Sequence, residues 1–316
     1  MDRVLFPSYH NGALDPQAEA LLTEIAAADG QPLSTMTPKQ ARRVFLAPTW
    51  LGQPREDVRI ENLHVGNRIP MRSYLPGGNR GLPILVFFHG GGFVLGALEE
   101  FDAFCAELAA GASCVVVSVG YRLAPEHKYP AAIVDATAAI RWIASNASVV
   151  HGDPERMAVA GDSAGANLAT VATLIARDSG FPRLIYQVLL CPWLDLASFD
   201  TDSYRLFGDG LWLSTVSAEW YRGHYLQSPE QASHPHVSPL RARDLSGLPP
   251  AYIVTAEFDV LRDEAKAYAD RMRKAGTPAE LVEHAGMLHD FIILPGLFDQ
   301  AHEATGGLCA ALRAVF

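Results

Sequence analysis

The chain has 316 residues, 49% of them hydrophobic, and a formal net charge of -10. That apolar content can bury the core of one domain carrying an insertion, and the negative charge disfavours nucleic acid and acidic membranes as partners. No run approaches the ~18 apolar residues of a membrane span, and Met1-Asp2-Arg3-Val4 leads into no signal-peptide core, so a cytoplasmic protein without membrane insertion is expected.

In chain order, Leu14-Asp15-Pro16 precedes apolar residues at helical spacing, and Thr37-Pro38 marks a second helix start. Strand patterns follow near residues 57 to 65, 68 to 75, 83 to 88, 114 to 120, 157 to 161, 185 to 191, 251 to 257 and 279 to 284. Helical patterns interleave at about 99 to 111, 131 to 145, 164 to 178, 262 to 275 and 298 to 315. This alternation predicts an α/β fold with a mostly parallel eight-stranded sheet covered by helices. Residues 1 to 50 and 194 to 245 fall outside it and are assigned to a helical cap, leaving 51 to 193 and 246 to 316 as two parts of the core. The second cap segment holds Phe199, Tyr204, Phe207, Leu211, Trp212, Leu213, Trp220, Tyr221 and Tyr225. Such a set can pack a cap or line an acyl pocket, and Phe207 and Leu211 are the pocket candidates.

Gly161-Asp162-Ser163-Ala164-Gly165 follows the apolar run Met157 to Ala160 and opens a helical pattern, the setting of a nucleophile elbow. About 0.1 G-x-S-x-G matches are expected by chance at this composition. Ser163 is therefore the candidate nucleophile. Upstream, His89-Gly90-Gly91-Gly92 follows the strand-like run Pro83 to Phe88. Its glycines allow backbone N–H groups to converge on the oxyanion of an acyl-transfer reaction. Gly91, Gly92 and Ala164 are the expected donors, and His89 is expected to anchor the loop.

Together with Tyr121 to Glu126, Glu257 to Glu264 and Met287-Leu288-His289, these motifs make the chain resemble the hormone-sensitive-lipase family of α/β-hydrolases, specifically its bacterial-type carboxylesterases. The resemblance spans nearly the whole chain. It implies ester hydrolysis by a Ser163–Asp259–His289 triad under a mobile cap, with no metal and no cofactor, on a small-molecule ester. From the residues themselves, the acid must follow a late strand and the base the last one. Asp259 follows the apolar run Ala251 to Val254, whereas Asp263 and Glu264 fall where a helix dipole attracts acids. Glu257 lies two residues before Asp259. For the base, His289 falls in a loop and His284 at a strand end, which favours His289.

Where the family often carries glycine after the histidine, this chain has Asp290, a second carboxylate beside the base. Arg122 and Glu126 are expected to brace a loop by ion pairing. His234-Pro235-His236 lacks a third ligand and is not read as a metal site. Cys105, Cys114, Cys191 and Cys309 form no C-x-x-C pair and are expected as buried free thiols. Preferred esters should have short-to-medium acyl groups, on a monomer or homodimer. An amidase or peptidase on the same fold and a non-catalytic ligand receptor are the alternatives.

Overall fold

Every residue of Val115–Val119, Tyr186–Leu190 and all but one of Leu82–Phe88 is buried. Successive strand residues face opposite sides of a sheet, so such runs require a sheet covered on both faces. The computed structural model describes residues 13 to 316 apart from 29, 47, 67 and 79. Among these, the strands are β1 (Val58–Val65), β2 (Ile69–Pro76), β3 (Leu82–Phe88), β4 (Val115–Val119), β5 (Gly152–Asp162), β6 (Tyr186–Leu190), β7 (Ala251–Phe258) and β8 (Ala279–Leu288). They form one sheet in the order β1-β2-β4-β3-β5-β6-β7-β8. β2 pairs antiparallel with β1 and β4, and every other pairing is parallel.

The helices are α1 (Pro16–Ala27), α2 (Pro38–Ala41), α3 (Pro48–Leu51), α4 (Asp102–Ala112), α5 (Ala131–Ser145), α6 (Ala164–Ser179), α7 (Asp202–Phe207), α8 (Thr215–Tyr225), α9 (Arg262–Lys274) and α10 (Asp299–Val315). α4 packs on α10 and α5 on α6, while α9 covers β7 and β8. Thr37 does cap a helix, through a reciprocal capping box with Gln40, but that helix is a single turn. No helix among the described residues is long and apolar enough to cross a membrane. Residues 1 to 12, part of the expected cap, lie outside the described residues.

Two strands run longer than their apolar patterns. β5 starts at Gly152, which pairs with Leu82 although Asp153 and Glu155 give no hydrophobic signal. β8 continues past His284 to Leu288, because pairing with β7 resumes at Phe258↔Leu288 after an irregularity. Gly286, at φ 75°, carries the chain through it.

Arg122 and Glu126 each brace the 121 to 126 loop, but with other partners than each other. Arg122 pairs with Asp135 of α5 at 2.7 Å, and the same carboxylate accepts the Arg122 backbone N–H at 2.9 Å. Glu126 pairs with Arg42 at 2.7 Å, and Arg42 also donates to the carbonyls of Val94 and Ala124. The segment around α2 is thereby tied to the glycine loop after β3. Asp135 is buried, so Asp135→Ala leaves a backbone N–H and a guanidinium without their acceptor. The expected loss is about 2 kcal/mol of stability, since Arg122 remains partly solvated. Urea denaturation of the variant checks this, and an unchanged midpoint at constant slope refutes it.

Candidate active site

Four parallel strands deliver the candidate residues, each at its carboxyl end: β3 leads into His89, β5 into Ser163, β7 into Asp259 and β8 into His289. This is the edge where open α/β sheets bind ligands. Ser163 sits between β5 and α6 at φ 53°, ψ −115°, a strained conformation for a residue with a side chain. The turn is closed so tightly that a Cβ on Gly161 would collide with the Gly165 carbonyl, and a Cβ on Gly165 with the carbonyls of Phe88 and His89. Ser163 N–H donates to the Leu190 carbonyl (2.8 Å), and its own carbonyl accepts from Asn167 and Trp193 (both 3.2 Å).

His289 bridges the other two candidates. Its Nδ1 lies 2.7 Å from Asp259 Oδ2 and its Nε2 3.0 Å from Ser163 Oγ. Donation from Nδ1 to the carboxylate leaves Nε2 free to accept the serine hydroxyl proton. The competing acids are engaged elsewhere. Glu257 accepts from the Gly286 N–H, Asp263 from the Ser203 N–H, and Glu264 from the N–H groups of Leu194 and Asp195. His284 pairs within β8 opposite Ala256 and packs on Phe291.

The glycine loop faces the same point. Gly91 and Gly92 have φ 104° and 60° and line the cavity with Ser163 and His289. A side chain on Gly92 would strike the Tyr221 ring. Ala164 opens α6, where backbone N–H groups have no intrahelical partner. His89 points away from this chemistry: it stacks on Tyr121 at 4.3 Å, its Nδ1 meets the Gly90 carbonyl at 2.8 Å, and burial pushes its pKa down to about 4.

The cavity over Ser163 measures about 1500 Å³, and α1, the 30 to 50 segment, α7 and α8 supply much of its wall. Leu211 lies on that wall, with Tyr204, Trp212, Leu213 and Tyr221. Phe207 does not. It packs on Phe258 of β7 at 5.4 Å, below the guanidinium of Arg262, because α7 turns that side chain toward the sheet. Phe199 and Tyr225 likewise serve packing, under Arg222 and against Phe93 respectively. Trp50 and Trp193 also line the cavity. Neither carried a motif, and only proximity in the fold brings them there.

Two further carboxyls crowd the imidazole. Asp290, at φ 59°, sets Oδ1 3.0 Å from His289 Nε2. Asp162 is wholly buried and interacts carboxyl to carboxyl with Asp290. Burial alone would lower the His289 pKa, but the charges of Asp259 and Asp290 outweigh it and hold the imidazole well above its ordinary range. Burial first, and then Asp290, push Asp162 well above the usual carboxyl range.

Residues 85–293, spanning every candidate from His89 to His289, match the family described as the alpha/beta hydrolase fold. Carboxylesterase NlhH of Mycobacterium tuberculosis is 38% identical over 98% of both chains. The chain belongs to the α/β-hydrolases, in the hormone-sensitive-lipase-like family. Among solved structures, the hydrolase superposes on a hyperthermophilic esterase from Pyrobaculum calidifontis with a TM-score of 0.90, at 37% identity, covering 96% of this chain and 98% of that one. An ester hydrolase from the metagenome of Lake Arreo, complexed with a bipyridine phosphonate derivative, gives 0.91 at 36% identity, covering 95% and 98%.

The closeness of the elbow to β3 is testable in this hydrolase. Gly165→Ala drives a methyl into two carbonyls and should cost ~3 kcal/mol or more, or abolish soluble expression. Gly306→Ala is the control: it lies in α10 with open space around the added carbon. It should be neutral or stabilising by up to ~1 kcal/mol. Equal urea midpoints for the two variants would contradict the packing described.

Proposed function

We infer that the chain is a carboxylic ester hydrolase, and we propose that it works through an acyl-enzyme on Ser163. The observation that carries the mechanism is the unbroken contact from Asp259 through His289 to Ser163, at 2.7 and 3.0 Å. Ser163 Oγ attacks the ester carbonyl as His289 Nε2 takes its proton, and Asp259 holds the ring and stabilises its cation. The N–H groups of Gly91, Gly92 and Ala164 stabilise the tetrahedral oxyanion. Collapse expels the alcohol, protonated by His289, and water repeats the cycle on the acyl group.

The segments around α1 to α3 and α7 to α8 form the two parts of a cap on this reading, with residues 51 to 193 and 246 to 316 as the catalytic core. Their apolar and aromatic side chains over Ser163 support a neutral ester as substrate. Each buried methylene contributes ~0.8 kcal/mol until room runs out. We therefore assign a preference for short-to-medium acyl groups. The cavity holds acyl and alcohol parts together, so its total volume bounds neither alone. Four buried, unpaired thiols suit a reducing compartment and support a cytoplasmic location.

With p-nitrophenyl butyrate, Ser163→Ala and His289→Ala should each lower kcat/KM by ~10⁴ or more while the protein stays folded. His284→Ala should remain near wild type, and the reverse ranking of the two histidines would overturn the assignment. Across p-nitrophenyl esters, kcat/KM should rise and then fall, peaking between about four and eight acyl carbons. Efficient hydrolysis of long-chain triglycerides would sink that assignment, and anilide turnover matching ester turnover would favour an amidase.

A further inference from the structure

Asp290 occupies a backbone conformation, φ 59°, in which glycine is the unstrained residue and aspartate is tolerated. The side chain kept there is mostly buried, and its Oδ1 comes within 3.0 Å of His289 Nε2. Nε2 aims its directional hydrogen bond at Ser163 Oγ, so the Asp290 contact is electrostatic, off the axis of that bond. Behind Asp290, Asp162 is fully buried and neither of its oxygens receives a hydrogen bond from a donor among the described residues. Burial without a donor, and then the neighbouring Asp290 carboxyl, disfavour the charged form of Asp162.

The groups facing this cluster come from strand ends and from the helix above them. They are Asp259 after β7, the Cys191 thiol after β6, Tyr221 of α8 toward Asp290 and His289, and Tyr121 toward Asp162. Among the described residues, the main charges acting on His289 come from Asp259 and Asp290, and those acting on Asp162 from Asp290, His289 and Asp259, with no lysine or arginine among them.

We propose that Asp290, kept charged beside a proton-bearing Asp162, places a second counter-charge next to His289, and that this charge sets the acidic limb of the pH profile. Asp290 is thus a positioning residue that acts through the imidazole, and the inference rests on His289 being the base. With two carboxylates against it, the ring holds its proton to higher pH. The enzyme gains a free base only above that point, and the imidazolium formed during attack gains a second stabilising charge.

The test is kcat/KM against pH for wild type, Asp290→Gly, Asp290→Asn and Asp162→Asn. Glycine suits the backbone at 290, so that variant should fold. Both Asp290 variants should move the acidic limb down by about one unit or more, the shift expected from losing a charge within 4–6 Å. Asp162→Asn replaces one neutral group with another and should leave the limb within ~0.3 units. If it does not fold, Asp162→Ala serves the same comparison. An unmoved limb in the Asp290 variants overturns the proposal. A downward shift in the Asp162 variant as large as theirs shows that Asp162 is ionised and overturns the proton placed on it. Titrating His289 by NMR in a Ser163→Ala background separates this from failure of the catalytic reading. There the ring should show the same downward shift on Asp290→Gly, whether or not Ser163 is the nucleophile.

Discussion

The close approach of the β5–α6 turn to the end of β3 is the constraint on which the rest of the site depends. It is possible only because Gly161 and Gly165 lack side chains, and it places Ser163 beside the glycine loop that follows Phe88. The strain of φ 53° at Ser163 is offset by bonds on both sides of the residue. Its N–H is held by Leu190 at the end of β6, and its carbonyl by Asn167 and Trp193. The elbow is thus bonded to the end of β6 and the segment after it, and packed against the end of β3. A site built on such anchored strand ends keeps its geometry better than one built on loops alone.

A second set of bonds attaches the 194 to 245 segment to that frame. Glu264 accepts the N–H groups of Leu194 and Asp195 at 2.7 Å each, and Asp195 in turn pairs with Arg241. Asn167, one helical turn beyond Ser163, donates to the carbonyls of Trp193 and Val237. The roots of the segment are therefore bonded to the same helix that carries the elbow. Between those roots, α7 and α8 contribute to the cavity wall. A segment fixed at its ends and apolar toward the site is the arrangement a cap requires.

The buried core strands were legible in the sequence because a strand covered on both faces reads as a short apolar run between turn residues. The elbow and the glycine loop were legible for a different reason: both need glycine where no other residue fits. What escaped has no such local signature. The start of β5 is polar and pairs only because β3 lies beside it, and β8 outruns its alternation past Gly286. The Arg122 partner comes from α5 and the Glu126 partner, Arg42, from just after α2, and neither pairing leaves a local pattern in the sequence. Phe207 and Leu211 have the same apolar character, but Phe207 ends α7 and faces the sheet, whereas Leu211, in the turn after that helix, lies on the cavity wall.

The ionisable groups of the site set stability and the proposed activity against each other. Burial raises Asp162 and Glu264 above their ordinary carboxyl values, 3.8 and 4.5, and the carboxylates raise His289 above 6.5. A raised folded-state pKa contributes stability that is fully present below the unfolded value and is lost as pH rises through the folded one. All three groups therefore favour the fold toward acid, each losing its contribution as its own proton leaves. Exposed pairs run the other way. Arg42 holds Glu126 down to about 2, so its contribution is present above 4.5 and lost as pH falls from there through about 2, weakened by solvent screening. A free base at His289 requires pH above the raised imidazole value, where the stabilisation from its proton is gone. Acquiring the proposed active protonation state thus consumes stability held in the site itself, and the backbone bonds around Ser163, which do not titrate, keep the geometry when it does.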